Sequence, residues 1–195
     1  MGSDTLECVT EYRYLGHTIQ RNLSDEKDVE SRLQQFYAQF NMIYRKFHGV
    51  SIETFMYLFN SYCIPEYGLA LWDNIEIVKK HIFKVLRVAY HNALKKIVGV
   101  SVSHSSHDVA NYSNQFVFEH YFALLQTRYF NRTLRSNNAI IRLCRPFLKR
   151  GRLFTSLLTT LKKEYNISFT EYDLDTIKAR ISWVQRNEIC SGIRL

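Results

Sequence analysis

Between Glu76 and Val98 the sequence sets Lys80, Lys84, Arg87, His91 and Lys95 at steps of four, three, four and four. Side chains at that period share one face of a helix. Val78, Ile82, Val85, Leu86, Ala89 and Ala93 take the opposite face, with Leu94 near its edge and Lys96 off the cationic stripe. Such a helix docks its apolar side on a core and holds a rail of charge towards a polyanion. A shorter set, Arg128, Arg132 and Arg135, repeats the pattern on a helix expected over 115–136, beside the apolar stripe Phe118, Phe122, Leu125 and Tyr129. The chemistry these residues offer is electrostatic: contact with phosphates, which gives affinity and position without reading bases. A solvated charged face is the plainer reading of both sets, and the charge of the whole chain is what separates the two.

That charge is +8 over 195 residues, unevenly placed. Residues 1–75 hold 6 Lys/Arg against 10 Asp/Glu, residues 76–163 hold 16 against 3, and residues 164–195 hold 4 against 5. An excess gathered in the middle favours a partner of dense negative charge, nucleic acid first. The alternative is a basic helical interaction module that docks on an acidic protein or an anionic membrane surface. Tyr90, next to the stripe, is a candidate for stacking on a base or sugar.

Other chemistry is thin. His104-Ser-Ser-His107-Asp108 offers two histidines and a carboxylate, but no further ligand or nucleophile is spaced to join them, and a polar turn is expected. Cys8, Cys63, Cys144 and Cys190 are far apart with no CxxC pair, which excludes a zinc knuckle. Free thiols and no visible signal peptide suggest a reducing nuclear or cytoplasmic setting. Met1-Gly2 is followed by Leu6 where a myristoylation signal wants Ser or Thr, and no apolar run reaches the roughly 18 residues of a membrane span. No metal, cofactor, small-molecule substrate or membrane is therefore expected.

The elements that must position these residues are mostly helical. Tyr12–Ile19 reads as a strand, with Gly16 marking a bulge or close backbone approach, and Leu6–Val9 as an extension or partner. Ser24 is the expected cap of a helix with Asp25, Glu26, Asp28 and Glu30 at its start and Arg45, Lys46 and His48 at its end. Val29, Leu33, Phe36, Phe40, Ile43 and Phe47 form its packing seam. Ser51 caps a helix over Ile52–Cys63 that is apolar nearly all round and so reads as central and buried. After a Ser- and His-rich loop over Ser101–Asp108 come the helix already placed over 115–136, then Ala139–Leu148, Phe154–Lys163 and Leu174–Asn187. The expected division is a strand segment (1–22), a helical bundle (23–100) and a basic helical extension (101–195). The fold class is mainly α, with a short N-terminal strand or hairpin. An unpaired strand at Tyr12–Ile19 would also be open to edge-to-edge dimerisation.

Four blocks carry a family resemblance: YLGHTI at 14–19, RKF at 45–47, LFNSYCIPEYGLALW at 58–72 and LRVAYHNALKKIVG at 86–99. In order and spacing they resemble the segment just downstream of the polymerase palm in non-LTR (LINE-type) retrotransposon reverse transcriptases, of the CR1/L2/Rex type. The likeness covers about two thirds of the chain and fades near Leu143. It implies that Tyr14, Leu15 and Gly16 belong to the palm edge beside the primer and that the following helices form a thumb. The implied partners are an RNA–DNA template–primer duplex and, in the full-length protein, the palm and fingers. The family's paired metal-binding aspartates have no match: no Asp-Asp pair exists, and Tyr172-Asp173-Leu174-Asp175 has the wrong spacing and reads as a helix start. The resemblance thus implies a fragment without polymerase activity of its own.

Overall fold

The computed structural model describes residues 8–14, 16–22, 24–64, 72, 81–167 and 174–192. Leu6, Leu15, Lys80, most of the link from Pro65 to Trp72, and Tyr172–Asp173 lie outside the described residues. Two strands, β1 (Glu11–Tyr14) and β2 (His17–Gln20), pair antiparallel from Glu11↔Gln20 to Tyr14↔His17. The expected single strand over Tyr12–Ile19 is therefore a hairpin that pairs within the chain. Gly16 is the reason: at φ +82° it holds the left-handed turn conformation that a side chain disfavours.

Helix α1 (Glu26–Phe47) starts one residue later than the Ser24 cap implies, with Asp25 at the N-cap position. Val29, Phe36, Phe40 and Ile43 of its seam are buried, while Phe47 at the end is 39% exposed. Ser51 caps α2 (Ile52–Leu58) as expected, its Oγ accepting from the Thr54 N–H at 3.3 Å. The helix then widens into a π turn, Phe59–Cys63. This segment is not buried all round: Phe55, Met56, Phe59 and Cys63 face inwards, but Tyr57 is 72% and Tyr62 60% exposed. Burial pushes the Cys63 thiol up to about 12, so it packs as an inert apolar group.

Helix α3 (His81–Val98) buries Leu86, Ala89, Tyr90, Ala93 and Leu94. A short helix missed in the sequence, α4 (Ser106–Tyr112), replaces the second half of the expected loop; Ser105 Oγ accepts from the Asp108 N–H at 3.4 Å to cap it. The remaining helices are α5 (Phe118–Arg135), α6 (Ala139–Arg150), α7 (Arg152–Tyr165) and α8 (Leu174–Gly192). Asn166 closes α7 in the left-handed conformation at φ 53°, a position that asparagine tolerates. The fold is mainly helical, with eight α-helices among the described residues and the N-terminal hairpin.

Two apolar clusters hold these helices. The first joins α1, α2, the π turn, α3, α4 and the start of α5, around edge-to-face rings such as Phe36–Phe59 (6.0 Å) and Phe40–Phe59 (6.1 Å). The second joins the rest of α5 to α7 and α8 through Leu124, Phe130, Leu157, Leu161 and Ile181. Helix α5 belongs to both, so it fixes the exposed side of one cluster relative to the other. Helix α6 contributes nothing to either: none of its residues is buried.

Candidate nucleic-acid interface

The cationic stripe of α3 is mostly engaged inside the protein. Lys95 is only 7% exposed and its Nζ donates to the Val102 carbonyl at 2.8 Å, tying down the loop after the helix. Arg87 pairs with Glu119 of α5 at 3.0 Å. His91 Nε2 accepts the Phe118 N–H at 3.2 Å and so caps α5, whose first amides lack intrahelical partners. Of the four stripe residues that are described, only Lys84 is exposed with no ion pair among the described residues. A helix carried by a second helix across its polar face cannot offer that face to a duplex, which corrects the expectation for His91 and Lys95. The stacking role for Tyr90 is corrected too: it is 3% exposed and its hydroxyl donates to the Phe116 carbonyl at 2.8 Å.

Arg87, His91 and Lys95 nonetheless share a groove of about 670 Å³ with His107, Glu119, His120 and Glu164. Its lining sets two carboxylates, Glu119 and Glu164, against the cations Arg87 and Lys95, so its charge is balanced rather than cationic. Within it, burial first of all, and then Arg87, Lys95 and His107, hold the His91 imidazole down to about 4, against the pull of Glu119. The folded protein therefore keeps His91 neutral where the unfolded chain protonates it. Stability from this site is full above about pH 6.5 and is lost as pH falls towards 4, because the unfolded state then binds the extra proton. Urea titrations at pH 7 and pH 5 should show a lower midpoint at pH 5, and His91→Gln, which can still accept at α5, should reduce that difference.

The second expected set fares differently. Arg128, Arg132 and Arg135 all lie on the exposed side of α5. They open a longer run: between Glu119 and Glu164 there are ten Lys/Arg and no Asp or Glu. Nine of the ten are exposed, and the tenth, Arg145, donates to the Ser136 carbonyl. Positive charge of this density along the chain is what a phosphate backbone requires.

Beside Arg128 a second groove, of about 530 Å³, runs between α4, α5 and α8. Arg128, Lys178 and Arg186 line it, and no carboxylate does so among the described residues. Lys178 and Arg186 were passed over in the sequence. Their spacing of four and eight from Lys178 through Ser182 to Arg186 was a usable signal, hidden by the near-neutral balance of residues 164–195. Of the residues the resemblance would place at a palm edge, Tyr14 is 56% exposed and Gly16 stands at the hairpin turn, well apart in sequence from the basic run. His104 and Asp108 are exposed around the start of α4, and the Asp108 amide serves its cap. Among the described residues no three His, Cys, Asp or Glu side chains gather as metal ligands, and no helix is long and apolar enough to cross a membrane.

A comparison with family models, curated proteins and solved structures finds no match for this chain.

Proposed function

We propose that this chain is a non-catalytic part of a non-LTR retrotransposon reverse transcriptase that binds the backbone of an RNA–DNA template–primer duplex. The four sequence blocks support the family, and the acid-free basic run from α5 to α7 supports the binding. That run is the observation that carries the reading. Lys and Arg on phosphates give affinity and register without sequence preference. The palm and fingers would supply the metal-binding aspartates this chain lacks, and the hairpin would lie towards them.

Charge reversal separates the two basic helices. Arg128→Glu with Arg132→Glu should weaken hybrid-duplex binding about tenfold or more and reduce the salt slope by roughly one unit for each lost phosphate contact. Lys84→Glu with Arg87→Glu should do less, since Arg87 already serves Glu119. Equal affinity for wild type and the Arg128/Arg132 variant, measured by fluorescence anisotropy at several salt concentrations, would remove α5 from the proposal.

A second reading has one observation in its favour. On α6, Ile140, Leu143 and Phe147 are 71%, 76% and 77% exposed, an apolar ridge at helical spacing flanked by Arg142, Lys149 and Arg150. Such a ridge suits an acidic amphipathic protein segment better than phosphates alone. Polyglutamate displacing a bound duplex as readily as a second duplex does would favour this reading. Pelleting with phosphatidylserine vesicles would instead favour an anionic membrane surface.

A further inference from the structure

The groove between α4, α5 and α8 has features that a duplex backbone does not need. Its cations, Arg128, Lys178 and Arg186, are joined by the side chains of Asn60, Asn111 and Tyr121. Neither Arg128 nor Lys178 forms an ion pair among the described residues. Asn60 comes from the π turn after α2, so three separate parts of the first cluster and α8 converge here.

The amide side chains in this region are oriented by the backbone, not free to flip. The Val117 N–H can only donate, and it donates to Gln185 Oε1 at 3.0 Å. Gln185 Nε2 must then be the donor to the Gln115 carbonyl (2.9 Å) and to Asn111 Oδ1 (2.8 Å). With its oxygen so assigned, Asn111 has its Nδ2 left over. That nitrogen is buried and has no hydrogen-bond partner among the described residues. A buried donor without an acceptor costs about 1–3 kcal/mol and is rare in folded proteins. Here it belongs to a side chain lining a groove of three cations. An anionic oxygen held by the neighbouring cations would supply the acceptor this amide lacks.

We propose that this groove holds one nucleotide of a single strand, its phosphate on Lys178 and Arg128 and within reach of the Asn111 amide, its base beside Tyr121. The volume of about 530 Å³ is in the range of pockets that enclose small ligands. Cations, amides and an aromatic ring together are the composition of single-strand sites, where stacking adds to phosphate contact. A continuous duplex presents its phosphates on a convex surface and would reach the rim of such a pocket only. This deepens the proposed function and rests on it for the nature of the polymer: the duplex lies on the outer face of α5, and the unpaired strand next to it enters the groove.

The test uses the full chain and two labelled probes in parallel, a short single-stranded oligonucleotide and a hybrid duplex. Asn111→Asp keeps the oxygen that accepts from Gln185 and turns the orphan donor into a repelling oxygen; Lys178→Gln changes an exposed side chain and leaves folding alone. Each should weaken single-strand binding about tenfold and leave duplex affinity within about twofold. Circular dichroism confirms that the variants are folded. Equal losses for both probes, or wild-type protein that ignores the single strand, overturns the groove assignment. Wild type that binds the single strand in an Asn111-dependent way but no duplex upholds the groove and sinks the duplex proposal. A nucleoside monophosphate competing as well as the oligonucleotide places a free nucleotide there and overturns the strand.

Discussion

Asp28→Ala should lower the stability of the whole chain by about 3 kcal/mol or more, the largest loss expected from any single hydrogen-bonding side chain here. The Asp28 carboxylate is 4% exposed and sits in the first turn of α1. Its Oδ2 accepts from His17 Nδ1 at 2.9 Å and from the Trp72 indole N–H at 3.1 Å, and its Oδ1 accepts from the Thr18 N–H at 3.1 Å. Alanine strands these donors at a site where water cannot replace the oxygen. Asparagine is nearly as bad, because one of its two positions becomes an N–H that faces donors. For a chain of this size the loss amounts to roughly 6–12 °C in Tm. Thermal melts of Asp28→Ala and Asp28→Asn check this, and hydrogen exchange should show β1 and β2 opening before α1. Arg32 holds the same hairpin from the next turn of α1, its Nη2 donating to the Gly16 carbonyl at 2.9 Å. A variant within about 1 kcal/mol of wild type would mean that the hairpin is only loosely attached.

This anchor shows where sequence reasoning stopped. Asp28 was legible as an acidic residue favourable to a helix N-terminus, which is a local property. That it reaches a strand and a tryptophan 44 residues away is a matter of packing, and nothing in its neighbours announces it. The same holds for the hairpin. Tyr12–Ile19 has the composition of one strand, and only the backbone conformation at Gly16 turns it into two. Periodicity did well for elements: α1, α3 and α5 lie close to where their apolar stripes put them. It did poorly for α4, which is seven residues long and too short to show a repeat.

Gln185→Leu is the second large effect. Gln185 is 4% exposed on α8 and satisfies four groups at once: the Val117 amide, His120 Nδ1, the Gln115 carbonyl and Asn111 Oδ1. Leucine fills the space and removes every partner, two of them backbone groups at the start of α5. A cost of about 3 kcal/mol is expected, with α8 released from α4 and α5. Gln185→Glu keeps the accepting oxygen and loses both donated bonds, so it should fall between. Urea unfolding gives the ranking. The same variants bear on the groove: with Gln185 gone, the Asn111 amide loses the bond that orients it. Single-strand binding should then drop at temperatures where the protein is still folded.

The candidate site was half legible. A charged face can be seen in a sequence, but whether another helix covers it cannot. His91 and Lys95 have the spacing of surface cations, yet His91 caps α5, which crosses the polar side of α3, and Lys95 ties down the loop after its own helix. Arg128 and Arg132 have the same spacing and remain outside. The difference lies in what packs where. The acid-free stretch between Glu119 and Glu164 is written in the sequence and survives folding as a surface feature, since nine of its ten cations are exposed.

The central claim is that this surface grips a phosphate backbone without reading sequence, and a salt titration of the unaltered chain addresses it most directly. The observed association constant for a hybrid duplex, followed by anisotropy as salt is raised, should fall linearly on a double-logarithmic plot. A slope of about −3 to −6 is expected, equal for duplexes of unrelated sequence. Affinity that stays level as salt rises, or a clear preference for one duplex sequence, would contradict it.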